Sequence, residues 1–207
     1  MKLVLSAFTF LLSFAAVADQ YKSYAELAQK EKEGIDYRIE VLDQDSPLTL
    51  MAPHGGKIER GSSELIKEIG GSFNQYHFMG LKPDDNFGLH ITSANFDEPQ
   101  ALKLAEKSKT CVSFHGYIGK GENAICIGGG NKTLAQKIKN LLLQSNPDFD
   151  VLYPCLKYPG EHPKNIVNRC EDKGVQLEMS TTFRDRILED SDFRKKMAQI
   201  IRQSLIH

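Results

Sequence analysis

The stretch LTLMAPHGGKIERGSSELI, residues 48–66, carries an apolar run that stops at Pro53, a histidine on a Gly-Gly corner, a glutamate, and then a small-residue step into a new apolar pattern. The run ahead of the corner reads as a buried strand. Behind it Leu65, Ile66, Ile69 and Phe73 recur at i, i+1, i+4 and i+8, the spacing of an amphipathic helix, with Ser62 or Ser63 as its cap. His54 and Glu59 lie on the turn between strand and helix, where neither side chain helps to build a core. Glycine lets a backbone turn sharply, so both side chains can face one point in space.

The same alternation of strand and helix continues on either side. Upstream, Tyr24 to Lys32 reads as a short helix and DYRIEVLD as a strand. Downstream, QYHFMGL and LHITS look like strands, and DEPQALKLAEKS like a helix with Pro99 in its first turn. TCVSF and NAICIGG read as short buried strands and KTLAQKIKNLLLQS as a helix. After a Pro-, Gly- and Asn-rich loop (residues 154 to 168), GVQLEM gives a last strand. A C-terminal helix follows, with Phe193, Met197, Ile200, Ile201 and Leu205 on one face. Strands alternating with helices imply an α/β domain whose sheet is covered on both faces. No repeat, low-complexity segment or linker divides the chain, and 207 residues suit one domain.

Composition sets the environment. An apolar fraction of 41% and a charged fraction of 26% are ordinary for a globular protein. A net charge of -1 gives no general attraction to nucleic acid or to an anionic membrane. The N-terminus, MKLVLSAFTFLLSFAAVADQ, has a basic Lys2, an apolar run too short to span a bilayer, and the small-x-small pattern Ala16-Val17-Ala18. We expect a secretory leader over residues 1–18, cut after Ala18, and a secreted or periplasmic monomer formed by residues 19–207. Export makes disulfides available to Cys111, Cys126, Cys155 and Cys170. Sequence alone cannot choose among three pairings or four free thiols. The pairing in which each bridge brackets one compact segment, Cys111–Cys126 and Cys155–Cys170, is the expectation.

In open α/β sheets, ligands bind beyond the carboxyl ends of the strands. His54 follows the strand PLTLMA, His115 follows TCVSF, and Glu178 closes GVQLE. Two histidines and a carboxylate form the ligand set of a catalytic zinc site with a water in the fourth position. A further carboxylate must then take that water's proton, and Glu178 fits the role. His77, His90, His162 and His207 receive no role. A serine nucleophile at Ser62 or Ser63 has no support, because GSS lacks the G-x-S-x-G elbow.

The segments APHGGKIERGSSELI, SFHGYIG, NIVNRC and GVQLEMSTTFRDRI resemble, in this order, the signature blocks of the phage-type poly-γ-glutamate hydrolases, a family with a zinc carboxypeptidase-like fold. The resemblance implies an α/β fold with a mixed twisted sheet, one zinc ion per chain, and cleavage of γ-glutamyl amide bonds in an anionic glutamyl polymer or peptide. It implies His54, Glu59 and His115 as metal ligands and Glu178 as general base. It also implies Asn168 and Arg169 as the clamp on a substrate carboxylate, with Arg184 in STTFR as a second candidate. A guanidinium suits that task because it meets a carboxylate through two parallel hydrogen bonds. Two other readings remain: a cell-wall amidase or peptidase acting on γ-D-glutamyl bonds, and a non-catalytic glutamyl-polymer-binding protein.

Overall fold

The computed structural model describes residues 19–206; the leader expected over residues 1–18 lies outside them. Seven strands form one mixed sheet: β1 (Tyr37–Leu42), β2 (Leu48–Gly56), β3 (Asn74–Gly80), β4 (Thr110–Tyr117), β5 (Ala124–Gly129), β6 (Asp150–Leu152) and β7 (Gly174–Ser180). Their order across the sheet is β1-β3-β2-β4-β7-β5-β6. The central strands β3, β2, β4 and β7 run parallel, while β1 and β5 are antiparallel to their inner neighbours.

Strand alternation divides the core in two. Leu50, Ala52, Val112, Phe114, Val175, Leu177 and Met179 face α2 (Ser62–Ile69), α4 (Lys132–Gln144), α5 (Thr181–Glu189) and α6 (Ser191–Ile206). On the other side Met51, Tyr76, Phe78 and Cys111 pack with α1 (Tyr24–Ala28), α3 (Pro99–Glu106) and the 3₁₀ turn Ile166–Arg169. Helices therefore cover both faces, as the continuous apolar strands require. Phe149, Phe183 and Phe193 meet edge to face with centroids 5.0–5.8 Å apart and fasten α5 to α6. Ser180 caps α5 by accepting the Phe183 N–H. No helix among the described residues is long and apolar enough to cross a membrane.

Several expectations need correction. LHITS is not a strand: Asn86–Leu89 is a 3₁₀ turn that leads into a loop. Leu89 and Ile91 are buried while Thr92 is exposed, so burial alternates as in a strand, but this segment joins no ladder. Ser62 and Ser63 are the first residues of α2 and do not cap it. Gly61 occupies the cap at φ 96°, and its N–H donates to Glu64 Oε2. The three-residue strand β6 is short, and its two ends are exposed, which leaves little pattern to read.

The disulfides pair Cys111 with Cys170 and Cys126 with Cys155, at Cα separations of 6.0 and 5.1 Å. The expected Cys111–Cys126 bridge fails because β7 lies between β4 and β5. Two strand spacings are about 9.5 Å, beyond the reach of a disulfide. Cys155 instead follows β6, the neighbour of β5, and its N–H donates to the Ile127 carbonyl oxygen at 2.9 Å. Non-reducing peptide mapping should recover these two linked pairs. The bridges join residues 59 and 29 positions apart. Loops of that size are constrained in the unfolded chain by about 4 kcal/mol each. Replacing Cys126 and Cys155 together by serine should therefore lower the unfolding free energy by about 2–4 kcal/mol in denaturant titration.

Candidate metal centre

The strands β2, β4 and β7 are consecutive in the sheet, so the segments that carry His54, His115 and Glu178 lie side by side. His115 and Glu178 are register partners and project from the same face. Strict alternation would send His54 to the opposite face, with Leu50 and Ala52. A register shift between Ala52 and Gly55 breaks the alternation. His54 thereby joins His115, as strand irregularities beside functional sites often do by re-aiming one side chain. Its ring packs on Phe96, which belongs to the same layer as Met51.

The glycines shape the turn. Gly56 has φ 62°, and a Cβ there would lie 2.8 Å from the Gly80 carbonyl oxygen. A Cβ on Gly55 would lie 2.2 Å from Ser63 Oγ. The tight turn closes with the Glu59 N–H on the His54 carbonyl oxygen at 2.9 Å, which brings Glu59 back beneath the imidazole.

His54, Glu59 and His115 are all buried and each offers one ligand atom, these atoms lying within 4.8 Å of one another. His54 Nδ1 is 3.1 Å from His115 Nδ1 and 3.2 Å from Glu59 Oε1, and His115 Nδ1 is 3.5 Å from Glu59 Oε2. His54 Nε2 lies 2.8 Å from the Ile91 carbonyl oxygen. That oxygen only accepts, so Nε2 carries the proton and Nδ1 turns its lone pair on the cluster. Glu59 Oε2 is buried without a hydrogen-bond partner. Lone pairs and an orphaned carboxylate oxygen converging in a buried space leave negative charge that a cation satisfies. The donor set suits a divalent ion with nitrogen and oxygen ligands. Burial on its own would raise the Glu59 carboxyl; positive charge on His54 and His115, or on an ion held in its place, keeps it well below the usual carboxylate range.

Glu178 adjoins the cluster. Burial, and after it the Glu59 charge, push its carboxyl up to about 8. Gln176 Nε2 donates to Glu178 Oε1 at 2.9 Å, and Asn165 Nδ2 donates to Gln176 Oε1 at 2.8 Å. A chain of amides thus fixes one oxygen of this carboxyl.

Arg184 reaches the same region from the first turns of α5. Its Nε donates to the Met179 carbonyl oxygen at 3.2 Å and its Nη1 to the Arg60 carbonyl oxygen at 3.0 Å. The guanidinium lies on Gly116, the residue after His115: a Cβ there would be 2.3 Å from Nε and 2.6 Å from Cζ. Its nearby negative charges include Glu59 and Glu178.

Asn168 and Arg169 are not brought to the cluster. The Asn168 amide is consumed by backbone: Oδ1 accepts from Gly130 N–H, and Nδ2 donates to the Gly160 and His162 carbonyl oxygens. Arg169 is exposed and precedes Cys170, which is bridged to Cys111. Cys111 pairs with Gly174 as His115 pairs with Glu178, so that bridge sits four residues, about 13 Å, down the strands from the cluster. The Asn168 side chain is therefore held by backbone groups, Arg169 lies at the far end of these strands, and Arg184 is the expected arginine that lies near Glu59 and Glu178.

One histidine passed over in the sequence belongs here. The His90 ring lies against His54, tilted by 34° with centroids 4.0 Å apart, and its Nε2 is 3.8 Å from Glu59 Oε1. Burial pushes its pKa down to about 4, which keeps it neutral. Sequence gives it no role because its segment, LHITS, reads as a strand in which His90 is one more alternating polar residue, whereas the segment is a loop that joins no ladder.

An α/β domain with two imidazoles, a buried carboxylate, a raised carboxyl and an arginine at the carboxyl ends of adjacent parallel strands has the architecture of a mononuclear metallohydrolase. The chain belongs to the poly-gamma-glutamate hydrolase family, whose model matches residues 21–203. The structure of a bacteriophage poly-gamma-glutamate hydrolase superposes with a TM-score of 0.84 at 33% identity, covering 91% of this chain and 97% of that one. YndL in its zinc-free apo form superposes with a TM-score of 0.83 at 31% identity, over 91% and 98% of the two chains. The SPbeta prophage-derived protein YoqZ of Bacillus subtilis (strain 168) is 38% identical over 168 residues. That match takes in 81% of this chain and 61% of YoqZ, so the chain spans about three fifths of that relative.

Proposed function

We propose that this protein is an exported zinc hydrolase that cleaves γ-glutamyl amide bonds in poly-γ-glutamate. The observation that carries the reading is the convergence of His54 Nδ1, His115 Nδ1 and the Glu59 carboxylate beside Glu178 and Arg184. His54, Glu59 and His115 hold the ion. When bound, zinc supplies Lewis acidity to the scissile carbonyl and to the attacking water. Glu178 takes the proton from that water and returns it to the departing amine. Gln176 holds Glu178 Oε1, which leaves the other oxygen to carry the proton. Burial and the Glu59 charge raise the Glu178 carboxyl toward neutral pH, the range in which a general base is effective.

Every unit of poly-γ-glutamate carries a free α-carboxylate. Arg184, anchored through Nε and Nη1 to two carbonyl oxygens, offers Nη2 to that group in a fixed orientation. The site draws on one chain's residues alone, so a monomer suffices. Export fits the leader expected over residues 1–18 and the absence of free cysteines among the described residues.

Purified protein incubated with poly-γ-glutamate should shorten the polymer in size-exclusion chromatography, and a chelator should stop it. Release of stem peptides from peptidoglycan with the polymer left intact would assign the site to cell-wall cleavage instead. The arginine role has its own test. Gly116 does not have a positive φ, so alanine fits the backbone while its methyl displaces the guanidinium. A charge-assisted hydrogen bond contributes about 1.5–3 kcal/mol. Gly116→Ala should therefore reduce kcat/KM roughly 10- to 100-fold with zinc content unchanged. Unaltered kinetics would remove Arg184 from substrate recognition.

A further inference from the structure

We propose that Asp19 is a positioning residue for the metal centre, its carboxylate fastening the loop that orients both ligand histidines. The inference rests on the reading of His54, Glu59 and His115 as zinc ligands. The ring nitrogens of both histidines that face away from the cluster turn to one short loop. His54 Nε2 meets the Ile91 carbonyl oxygen at 2.8 Å, and His115 Nε2 lies 3.4 Å from Ser93 Oγ. Such outer partners fix the tautomer and the direction of a ligating imidazole, and their loss typically costs 10- to 100-fold in metal affinity.

This loop has no ladder to hold it in place. Asp19 supplies a substitute. Its Oδ1 accepts from His90 Nδ1 at 2.7 Å and its Oδ2 from the Thr92 N–H at 2.6 Å. Each oxygen thus grips one side of Ile91, the residue whose carbonyl sets the His54 tautomer. The chain that follows Asp19 runs beside the same segment. Tyr24 N–H donates to Asp97 Oδ1 at 2.6 Å, and a Cβ on Gly88 would lie 2.6 Å from Gln20 Oε1. Asp19 has a second effect. A carboxylate only accepts, so it places the neutral His90 proton on Nδ1 and leaves Nε2 as a lone pair toward the cluster. In an Asp19→Asn variant the amide can present a donor to His90 Nδ1 instead, and the proton then moves to Nε2, beside Glu59.

The test uses the processed chain, residues 19–207, as wild type, Asp19→Asn and Asp19→Ala. The zinc dissociation constant is measured by competition with a chromophoric chelator, and the His90 tautomer by ¹⁵N NMR of the imidazole. Both variants should bind zinc about 10- to 100-fold more weakly, and His90 should show its proton on Nδ1 in the wild type but not in Asp19→Asn. A residue that merely tethers the N-terminus would leave the zinc affinity unchanged. Should Asp19→Ala fail to fold, the isosteric Asp19→Asn decides. Wild-type zinc affinity in Asp19→Asn overturns the inference while leaving the metal site standing. A wild type that binds no zinc overturns the metal reading itself.

Discussion

Glu178→Gln should keep its zinc and lose roughly 10²- to 10⁴-fold in turnover, the range a positioned general base supplies. The substitution is nearly isosteric, and the glutamine carbonyl can still accept the hydrogen bond from Gln176 Nε2 that Glu178 Oε1 accepts now. What disappears is the basic oxygen at the other end, replaced by an amide that cannot take a proton. Burial and the nearby Glu59 charge hold the acid up to about 8, so the wild-type group shares its proton readily near neutral pH, and glutamine has no such range. A steady-state kcat measured beside metal content separates the two effects. Undiminished turnover would leave the proton transfer to some other group.

The second large effect concerns the ion. Structural zinc sites bind with roughly 10–16 kcal/mol of apparent free energy, about 2.5–4 kcal/mol for each of four ligands. Deleting one imidazole should weaken zinc on the order of 10²- to 10³-fold. His54→Ala and His115→Ala are both expected to lose the ion on dialysis against a moderate chelator, and activity with it. His115→Ala is the cleaner of the two. His54 also packs against His90 and bonds to the Ile91 carbonyl oxygen, so its removal disturbs the loop as well. Zinc retained at wild-type affinity in both variants would contradict the ligand assignment.

Much of this site was legible because strand ends are. The apolar runs before His54, His115 and Glu178 mark buried strands, and the rule that ligands gather beyond their carboxyl ends placed three side chains together before any contact was known. Which face His54 takes was not legible, since it depends on the register shift after Ala52. The disulfides were misread because strand order departs from chain order: β7, late in the sequence, inserts between β4 and β5. Where Asn168 and Arg169 lie was not legible either, as a local motif does not say toward which end of β7 the preceding turn lies. Asp19 and His90 are 71 positions apart and meet only through the folded loop, so no spacing in the sequence could pair them.

Anomalous diffraction at the zinc edge, on crystals of protein purified without added metal and then loaded with one equivalent, tests the central claim most directly. A single peak about 2.0–2.2 Å from His54 Nδ1, His115 Nδ1 and a Glu59 oxygen, with Glu178 outside its ligand shell, is the predicted result. A peak elsewhere, or none among these three side chains, would contradict it.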